Sequence, residues 1–226
     1  MKSIIKHAMV AILICSTNST LAVAGVQLDR TRVLIEDGKI RANYALSNNT
    51  EIPLLASATI TNADGTPTSR LAASPALYQV RSKTTHQGTI SILEPLPQDK
   101  ESVFWLNVKT VAPESDASKT GSSLQFAIGQ RIKIFYRPKG IKEDCKIVAD
   151  KLKWTKTKDG LKVENDTPLS MSLVEVTVGT KKFRLEDLLL PKSSKDWQLA
   201  IPTNHKMSFT YADEYGNYVE HPLDLK

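Results

Sequence analysis

A long alternation of apolar and polar side chains between residues 124 and 136 constrains the fold more than any other feature. Its apolar members have even numbers, and they are Leu124, Phe126, Ile128, Ile132, Ile134 and Tyr136. Successive side chains of an extended strand point to opposite faces, so the segment is predicted to be one β-strand with one apolar face. It would span roughly 43 Å at about 3.3 Å per residue, whereas a common strand has about 5–6 residues.

A strand of this length is expected to overrun the sheet that holds it. An apolar strand end without a covering sheet is an edge to which another chain can add, and most proteins avoid such edges. The same alternation is also typical of a long core strand inside a β-sandwich. The pattern alone does not separate these two interpretations.

Frequent turn signals divide the rest of the chain into short strands. Asp37-Gly38 and the stretch 62–65 (NADG) are turn signals in the first half, and Asp159-Gly160 predicts a hairpin in the second. The predicted strands of the first half are Val26–Leu34, Ile40–Asn48, Leu54–Thr61, Ala76–Val80, Gly88–Ile92, Val103–Val111 and Leu124–Tyr136. Those of the second half are Lys151–Thr155, Leu161–Asn165, Met171–Val178, Lys182–Leu185, Trp197–Ile201, Lys206–Tyr211 and Tyr218–Pro222, with a short helical turn possible over Glu186–Leu190.

Seven short strands in each half predict an all-β chain of two immunoglobulin-like β-sandwich domains. Pro138-Lys139-Gly140 interrupts the pattern, so we place the domain boundary between residues 138 and 139. The predicted domains are residues 25–138 and residues 139–226.

The first 24 residues have the features of an export signal. Lys2 and Lys6 precede an apolar run from Ala8 to Cys15 that is too short to span a bilayer, and Ala22-Val23-Ala24 is a small-residue cleavage site. We therefore expect the mature chain to begin at Gly25 and to be exported and soluble, without membrane insertion.

Charge and cysteine content exclude several classes of protein. Without Lys2 and Lys6 the basic residues fall from 30 to 28 against 24 acidic ones, which leaves a net charge of +4. These charges are not clustered as nucleic-acid binding requires. Cys145 would be the one cysteine left after removal of the signal, so we expect no disulfide within the mature chain. We also expect no redox role for Cys145.

The sequence contains no recognisable catalytic or metal-binding motif. Its four histidines are scattered, and there is no HExxH, GxSxG, P-loop or CxxC pattern. We therefore expect a protein that is not an enzyme and that needs no metal or cofactor.

Four segments together resemble one known family. They are TRV at 31–33, NADG at 62–65, LPQDKESVFWLNV at 96–108 and RIKIFYRP at 131–138. The set resembles the PapD-like periplasmic chaperones of pilus assembly, over essentially the whole mature chain. The resemblance implies a cleft between the two sandwiches and an ATP-independent chaperone in the periplasm. Such a chaperone binds fimbrial subunits by donor-strand complementation and delivers them to an outer-membrane usher.

The resemblance also implies roles for residues that face a bound subunit. Arg32 and Lys133 match the two cations that hold the C-terminal carboxylate of a pilus subunit, for which charge-assisted hydrogen bonds are suited. Leu124, Phe126 and Ile128 match the side chains that the chaperone lends to the open groove of the subunit. Whether the free protein self-associates to hide this strand is left open by the sequence.

A third implied group joins the two domains through charge. Arg137 matches its basic member and Glu101 its first acid. The second acid of the family lies in an NDYG motif, whereas residues 212–216 read ADEYG, so Glu214 takes that place and Asp213 precedes it. Which of the two acids completes the group is left open by the sequence.

Two other classes of function remain as alternatives. A secreted tandem β-sandwich adhesin or carbohydrate-binding module would bind an external ligand without needing Arg32 or Lys133. A secreted hydrolase would need a convergent acid/base site, for which the sequence offers no candidate residues.

Overall fold

The computed structural model describes residues 25–36, 38–113, 126–201 and 206–225. The predicted export signal and Leu124 lie outside these residues. Within the described ranges, no helix combines the length and the apolarity that a membrane span requires.

The first half of the chain forms two sheets. Its described strands are β1 (Val26–Leu28), β2 (Arg32–Ile35), β3 (Arg41–Asn48), β4 (Leu54–Asn62), β5 (Leu71–Ser74), β6 (Leu77–Val80), β7 (Thr84–Ile92), β8 (Ser102–Val111) and β9 (Ala127–Tyr136). One sheet has the order β1-β3-β7-β5 and the other has the order β2-β9-β8-β4-β6. Neighbouring strands are antiparallel except β2 and β9, which are parallel.

The second half begins with a short helix and forms two further sheets. The helix is α1 (Cys145–Lys151), and the strands are β10 (Lys153–Lys156), β11 (Gly160–Asn165), β12 (Met171–Val178), β13 (Lys181–Leu189), β14 (Ser193–Gln198), β15 (Met207–Ala212) and β16 (Tyr218–Pro222). The sheet orders are β10-β11-β14 and β13-β12-β15-β16. All of these pairs are antiparallel.

Each half buries its own hydrophobic core. The first cluster of buried side chains extends from Leu28 to Tyr136, and the second extends from Cys145 to Leu223. The predicted all-β architecture of two sandwiches is therefore confirmed. The exact boundary between residues 138 and 139 stays a prediction.

The predicted first strand, Val26–Leu34, is two strands that belong to different sheets. Asp29 closes the pairing of β1 with β3, because its amide donates to the carbonyl of Ala45 and its carboxylate accepts from the amide of Ala45. After a bend, Arg32 starts β2 and pairs with β9 in the other sheet. The chain thus joins both sheets within a few residues.

The local predictions also failed at other places. The helical turn suggested for Glu186–Leu190 is wrong, since β13 continues to Leu189 and pairs with β12. Pairing with a neighbouring strand outweighs weak local helix preference here. Helix α1 and the short strand β5 were not predicted.

Candidate functional site

Strand β9 has one backbone edge that is paired along only part of its length. On one side it pairs with β8 along its whole length, from Ala127 to Tyr136. On the other side it pairs with β2 only from Lys133 onwards. Among the described residues, the first half of β9 therefore presents backbone groups to which another strand can add.

The apolar side chains of this region divide into an exposed and a buried set. Ile132, Ile134 and Tyr136 lie in the core of the first sandwich. Phe126, just before β9, is 72% exposed, and Ile128 is 51% exposed. The segment thus carries large apolar side chains on the same strand face, inside the core at one end and in solvent at the other.

Gln130 lies where the buried part of the strand ends. The amide of Leu28 donates to its side-chain oxygen at 3.0 Å, and its side-chain nitrogen donates to the carbonyl of Val26. Strand β1 is the last strand of its sheet, so the side chain of Gln130 satisfies the backbone edge of β1. Beyond this point the opposite sheet has no further strand over β9 in the part of the chain that the structure describes.

The other face of β9 carries basic side chains around an aromatic ring. Lys133 is the register partner of Trp105 on β8, and its Nζ lies 5.3 Å from the centre of the indole ring. The guanidinium carbon of Arg131 lies 4.0 Å from the same centre. Trp105 is itself fixed, because its Nε1 donates to the carbonyl of Ala63 at 3.0 Å. These contacts hold both cations near the sheet surface.

Arg32 and Lys133 lie side by side, because they are register partners in the parallel pair of β2 and β9. Burial lowers the pKa of Lys133, and the charge of Arg32 lowers it further. Burial also lowers the pKa of Arg32. Two neighbouring, partly buried cations oppose each other's charge, and a bound anion would relieve that repulsion.

Neither cation forms an ion pair in the described part of the chain. Lys133 has no hydrogen-bond partner there, and Arg32 donates only to the carbonyl oxygens of Ala212, at 3.3 Å, and of Asp213. The arrangement can therefore accept a carboxylate through charge-assisted hydrogen bonds.

A separate charged cluster connects the two sandwiches. Arg137 follows directly after β9, and its Nη2 lies 3.3 Å from Oε1 of Glu101 and 3.3 Å from Oε1 of Glu214. Glu36 lies 3.6 Å from the same guanidinium. The second oxygen of Glu101 accepts from the amide of Ser170 at 3.0 Å, so the cluster ties the backbone of the second sandwich to the first.

Arg137, Glu101 and Glu214 are largely shielded from solvent, whereas Glu36 is partly exposed. Burial raises the pKa of Glu101, against the opposing effect of Arg137. The pKa of Arg137 is also raised, because Glu101 and Glu214 outweigh its burial. Buried ion pairs of this kind often add little stability, but they can fix an orientation.

The start of α1 extends this connection. The amide of Cys145 donates to Oε1 of Glu214 at 3.0 Å, and the side chain of Asp144 caps the helix by accepting from the amide of Ile147. The thiol of Cys145 is free, and burial raises its pKa. A thiol that stays protonated is a poor nucleophile.

The structure thus brings the residues singled out by the sequence into two neighbouring groups. Arg32 lies beside Lys133, and Arg137 lies between Glu101 and Glu214, whereas Leu124 is outside the described residues. Sequence reasoning missed the contributions of Gln130 and Trp105, and it gave Asp213 no role of its own. Trp105 stands inside the segment 96–108 that carried the resemblance, but no sequence signal indicated its contact with Lys133.

No candidate metal centre accompanies these groups. Among the residues that the structure describes, no cluster of three or more His, Cys, Asp or Glu side chains could hold a metal ion.

Family models match both halves of the chain. Residues 25–142 match the N-terminal domain of PapD, described as a pili and flagellar-assembly chaperone, and residues 147–223 match the C-terminal domain of the pili assembly chaperone PapD.

Relatives among characterised proteins agree with these matches. The chain is 34% identical over 203 residues to the chaperone protein FimC of Escherichia coli O6:H1, covering 86% of this chain and 82% of that relative. It is 29% identical over 219 residues to the probable fimbrial chaperone LpfB of Escherichia coli O157:H7, covering 95% of this chain and 94% of LpfB.

Solved structures share the two-domain architecture. The Escherichia coli chaperone DraB superposes with a TM-score of 0.77 at 26% identity, covering 89% of this chain and 97% of DraB. A chain from the structure of the Salmonella enterica SafA pilin in complex with the SafB chaperone also gives a TM-score of 0.77. It is 28% identical, and the match covers 88% of this chain and 96% of that one.

Proposed function

This chain belongs to the PapD-like family of pilus-assembly chaperones, and from that premise we propose that it binds fimbrial subunits in the periplasm by lending them a strand. It would hold each subunit until delivery to an outer-membrane usher. It acts in this proposal as a binding protein, without catalysis and without a cofactor.

The exposed end of β9 supports strand donation. Ile128 and Phe126 lie in solvent beside a backbone edge that has no strand partner within the described residues. Backbone hydrogen bonds along such an edge would give affinity, and the alternate side chains would set the register in the groove of the subunit. A relative of known structure was solved with a pilin, which is the class of partner proposed here.

The observation that carries the proposal is the pair Arg32 and Lys133. Neither cation forms an ion pair within the described residues, both have a lowered pKa, and both lie at the end of the strand edge that is unpaired there. A pilin strand that adds to β9 with its last residue at Lys133 would present its terminal carboxylate to this pair.

The first prediction concerns these two cations. Arg32→Ala and Lys133→Ala should each weaken the binding of a peptide that copies the C-terminus of a pilin by about 2–5 kcal/mol, or about 30- to 5,000-fold in Kd. The peptide would be that of the pilin that co-purifies with the wild-type chain from periplasm. Kd would be measured by calorimetry for the free acid and for the C-terminal amide.

Lys109→Ala is the matched control, because Lys109 is an exposed lysine on the neighbouring strand β8. The wild-type chain should prefer the free acid, and the two anchor variants should lose that preference while keeping the wild-type melting temperature. Equal binding of acid and amide by the wild-type chain would refute the anchor. If no pilin co-purifies, the adhesin alternative becomes the better explanation.

A further inference from the structure

Arg32 is held from the second sandwich by a tight turn between β15 and β16. The amide of Asp213 donates to the carbonyl of Asn217 at 2.9 Å, and the amide of Gly216 donates back to the carbonyl of Asp213 at 3.1 Å. The carboxylate of Asp213 accepts from the amides of Tyr215 and Asn217 at 2.9 and 2.8 Å. The backbone of this turn is therefore fixed by the side chain of its own first residue.

The guanidinium of Arg32 contacts this turn through carbonyl oxygens. Its Nη1 donates to the carbonyls of Ala212 and Asp213. Its Nε is buried and has no partner in the described part of the chain. One side of the guanidinium is thus occupied by the second sandwich, while a buried donor remains for another ligand.

Gly216 fits the turn against β2 at very short range. Its φ is +95°, a conformation that other residues adopt only under strain. An added Cβ would lie 2.7 Å from Oγ1 of Thr31 and 3.7 Å from Nε of Arg32. A side chain at this position would have to displace either the turn or the start of β2.

We propose that the Asp213–Asn217 turn is a positioning element for the anion site, with Asp213 and Gly216 as its positioning residues. The turn directs the guanidinium of Arg32 so that Nε can donate to the terminal carboxylate of a pilin. This inference rests on the proposed function of Arg32. It gives Asp213 a role that differs from that of Glu214, whose carboxylate contacts Arg137.

The proposal also explains why the second sandwich belongs to the binding site. Arg32 and Lys133 both lie in the first sandwich, so that domain alone supplies the charges. The second sandwich supplies the carbonyl oxygens that orient one of them. Docking of the two domains would then determine how tightly a carboxylate is bound. The charged cluster around Arg137 would contribute by keeping the two domains docked.

The test compares two glycine substitutions in turns with positive φ. Gly216→Ala should reduce the preference for free-acid over amidated pilin peptide by about tenfold, since a displaced guanidinium loses one charge-assisted hydrogen bond. Gly38→Ala is the matched control, because Gly38 has φ +73° and an added Cβ there meets nothing within 4 Å. Gly38→Ala should keep the full preference for the free acid. The melting temperatures of both variants show how much of any loss of binding comes from general destabilisation.

A second pair of variants tests the side chain of the turn. Asp213→Ala removes the acceptor for the amides of Tyr215 and Asn217, whereas Asp213→Asn keeps one side-chain oxygen for them. The alanine variant should lose most of the acid preference and the asparagine variant should recover it. A purely stabilising role would instead lower the affinity for acid and amide equally.

The outcomes separate this inference from the proposed function. If the wild-type chain shows no acid preference, the anchor itself is wrong. If the wild-type chain, Gly38→Ala and Gly216→Ala all prefer the acid to the same extent, the positioning role of the turn is refuted. The assignment of Arg32 and Lys133 as the carboxylate anchor would stand.

Discussion

The two ends of the 126–136 segment have the same alternating pattern but opposite surroundings. Ile132 and Ile134 are buried between two sheets, whereas Phe126 and Ile128 are exposed. The even-numbered side chains lie on one face throughout, so the pattern itself does not determine which of them are buried. The difference comes from the opposite sheet, which ends at β1.

Gln130 separates the two ends physically. Its side chain bonds to the backbone of β1, which is the end strand of the opposite sheet within the described ranges. The comparison shows that an alternating sequence encodes a strand with one apolar face, while the extent of its covering layer decides whether that face is buried core or exposed surface. Substitutions at the two ends and at Gln130 can test this distinction, because their expected effects on stability differ.

The largest effect is expected at the buried end. Ile134→Asp places a carboxylate without a partner at a position that is 0% exposed. We expect it to unfold the first sandwich, with a loss above about 4 kcal/mol in the free energy of unfolding. Urea denaturation followed by tryptophan fluorescence measures this. Ile134→Val is the control and should cost only about 0.5–1.5 kcal/mol.

An intermediate effect is expected at the junction. Gln130→Ala leaves the amide of Leu28 and the carbonyl of Val26 without their present partner. We expect the free energy of unfolding to fall by about 1–2 kcal/mol, because two hydrogen bonds are lost and water can partly replace them. Hydrogen exchange should also become faster at Leu28. The control is Gln79→Ala on the exposed face of β6, and equal effects of both variants would show that Gln130 does not secure β1.

The smallest effect on stability is expected at the exposed end. Phe126→Asp should change the free energy of unfolding by no more than about 0.5 kcal/mol, because Phe126 lies largely in solvent. The same variant should fail to bind a pilin, since the groove of the pilin would receive an unpaired carboxylate. Thermal melting and pilin pull-down measure the two outcomes. If Phe126→Asp melts as early as Ile134→Asp, the exposed end is core after all and strand donation loses its main support.

Much of the fold followed from local patterns in the sequence. The alternation ending at Tyr136 and the turn signals at 62–65 and 159–160 located most strands, because the period of the side chains and the chemistry of turns are local properties. Helix α1 also had a signal that went unused. Asp144 precedes buried residues spaced as on one face of a helix, namely Cys145, Val148, Ala149 and Leu152.

Other features depend on contacts between distant residues and had no such signal. The break between β1 and β2 follows from pairing with two different sheets, and the strand at Glu186 follows from pairing with β12. Arg32 could be assigned to the candidate site by resemblance, but its contact with Asp213 requires two docked domains. Gln130 reads as an ordinary polar position, because its partners belong to the opposite sheet.

The parallel pairing of β2 with β9 has a consequence for the order of folding. Arg32 and Lys133 are 101 positions apart in the chain (133 − 32). They become neighbours only when β9 pairs with β2. A contact of such long range closes a large loop, which makes it slow to form compared with hairpins. In a chain that is exported with its N-terminus first, the two cations would therefore become neighbours only after the first sandwich has folded completely. Capture of a partner would then be restricted by folding itself, because a half-made chaperone has no assembled site.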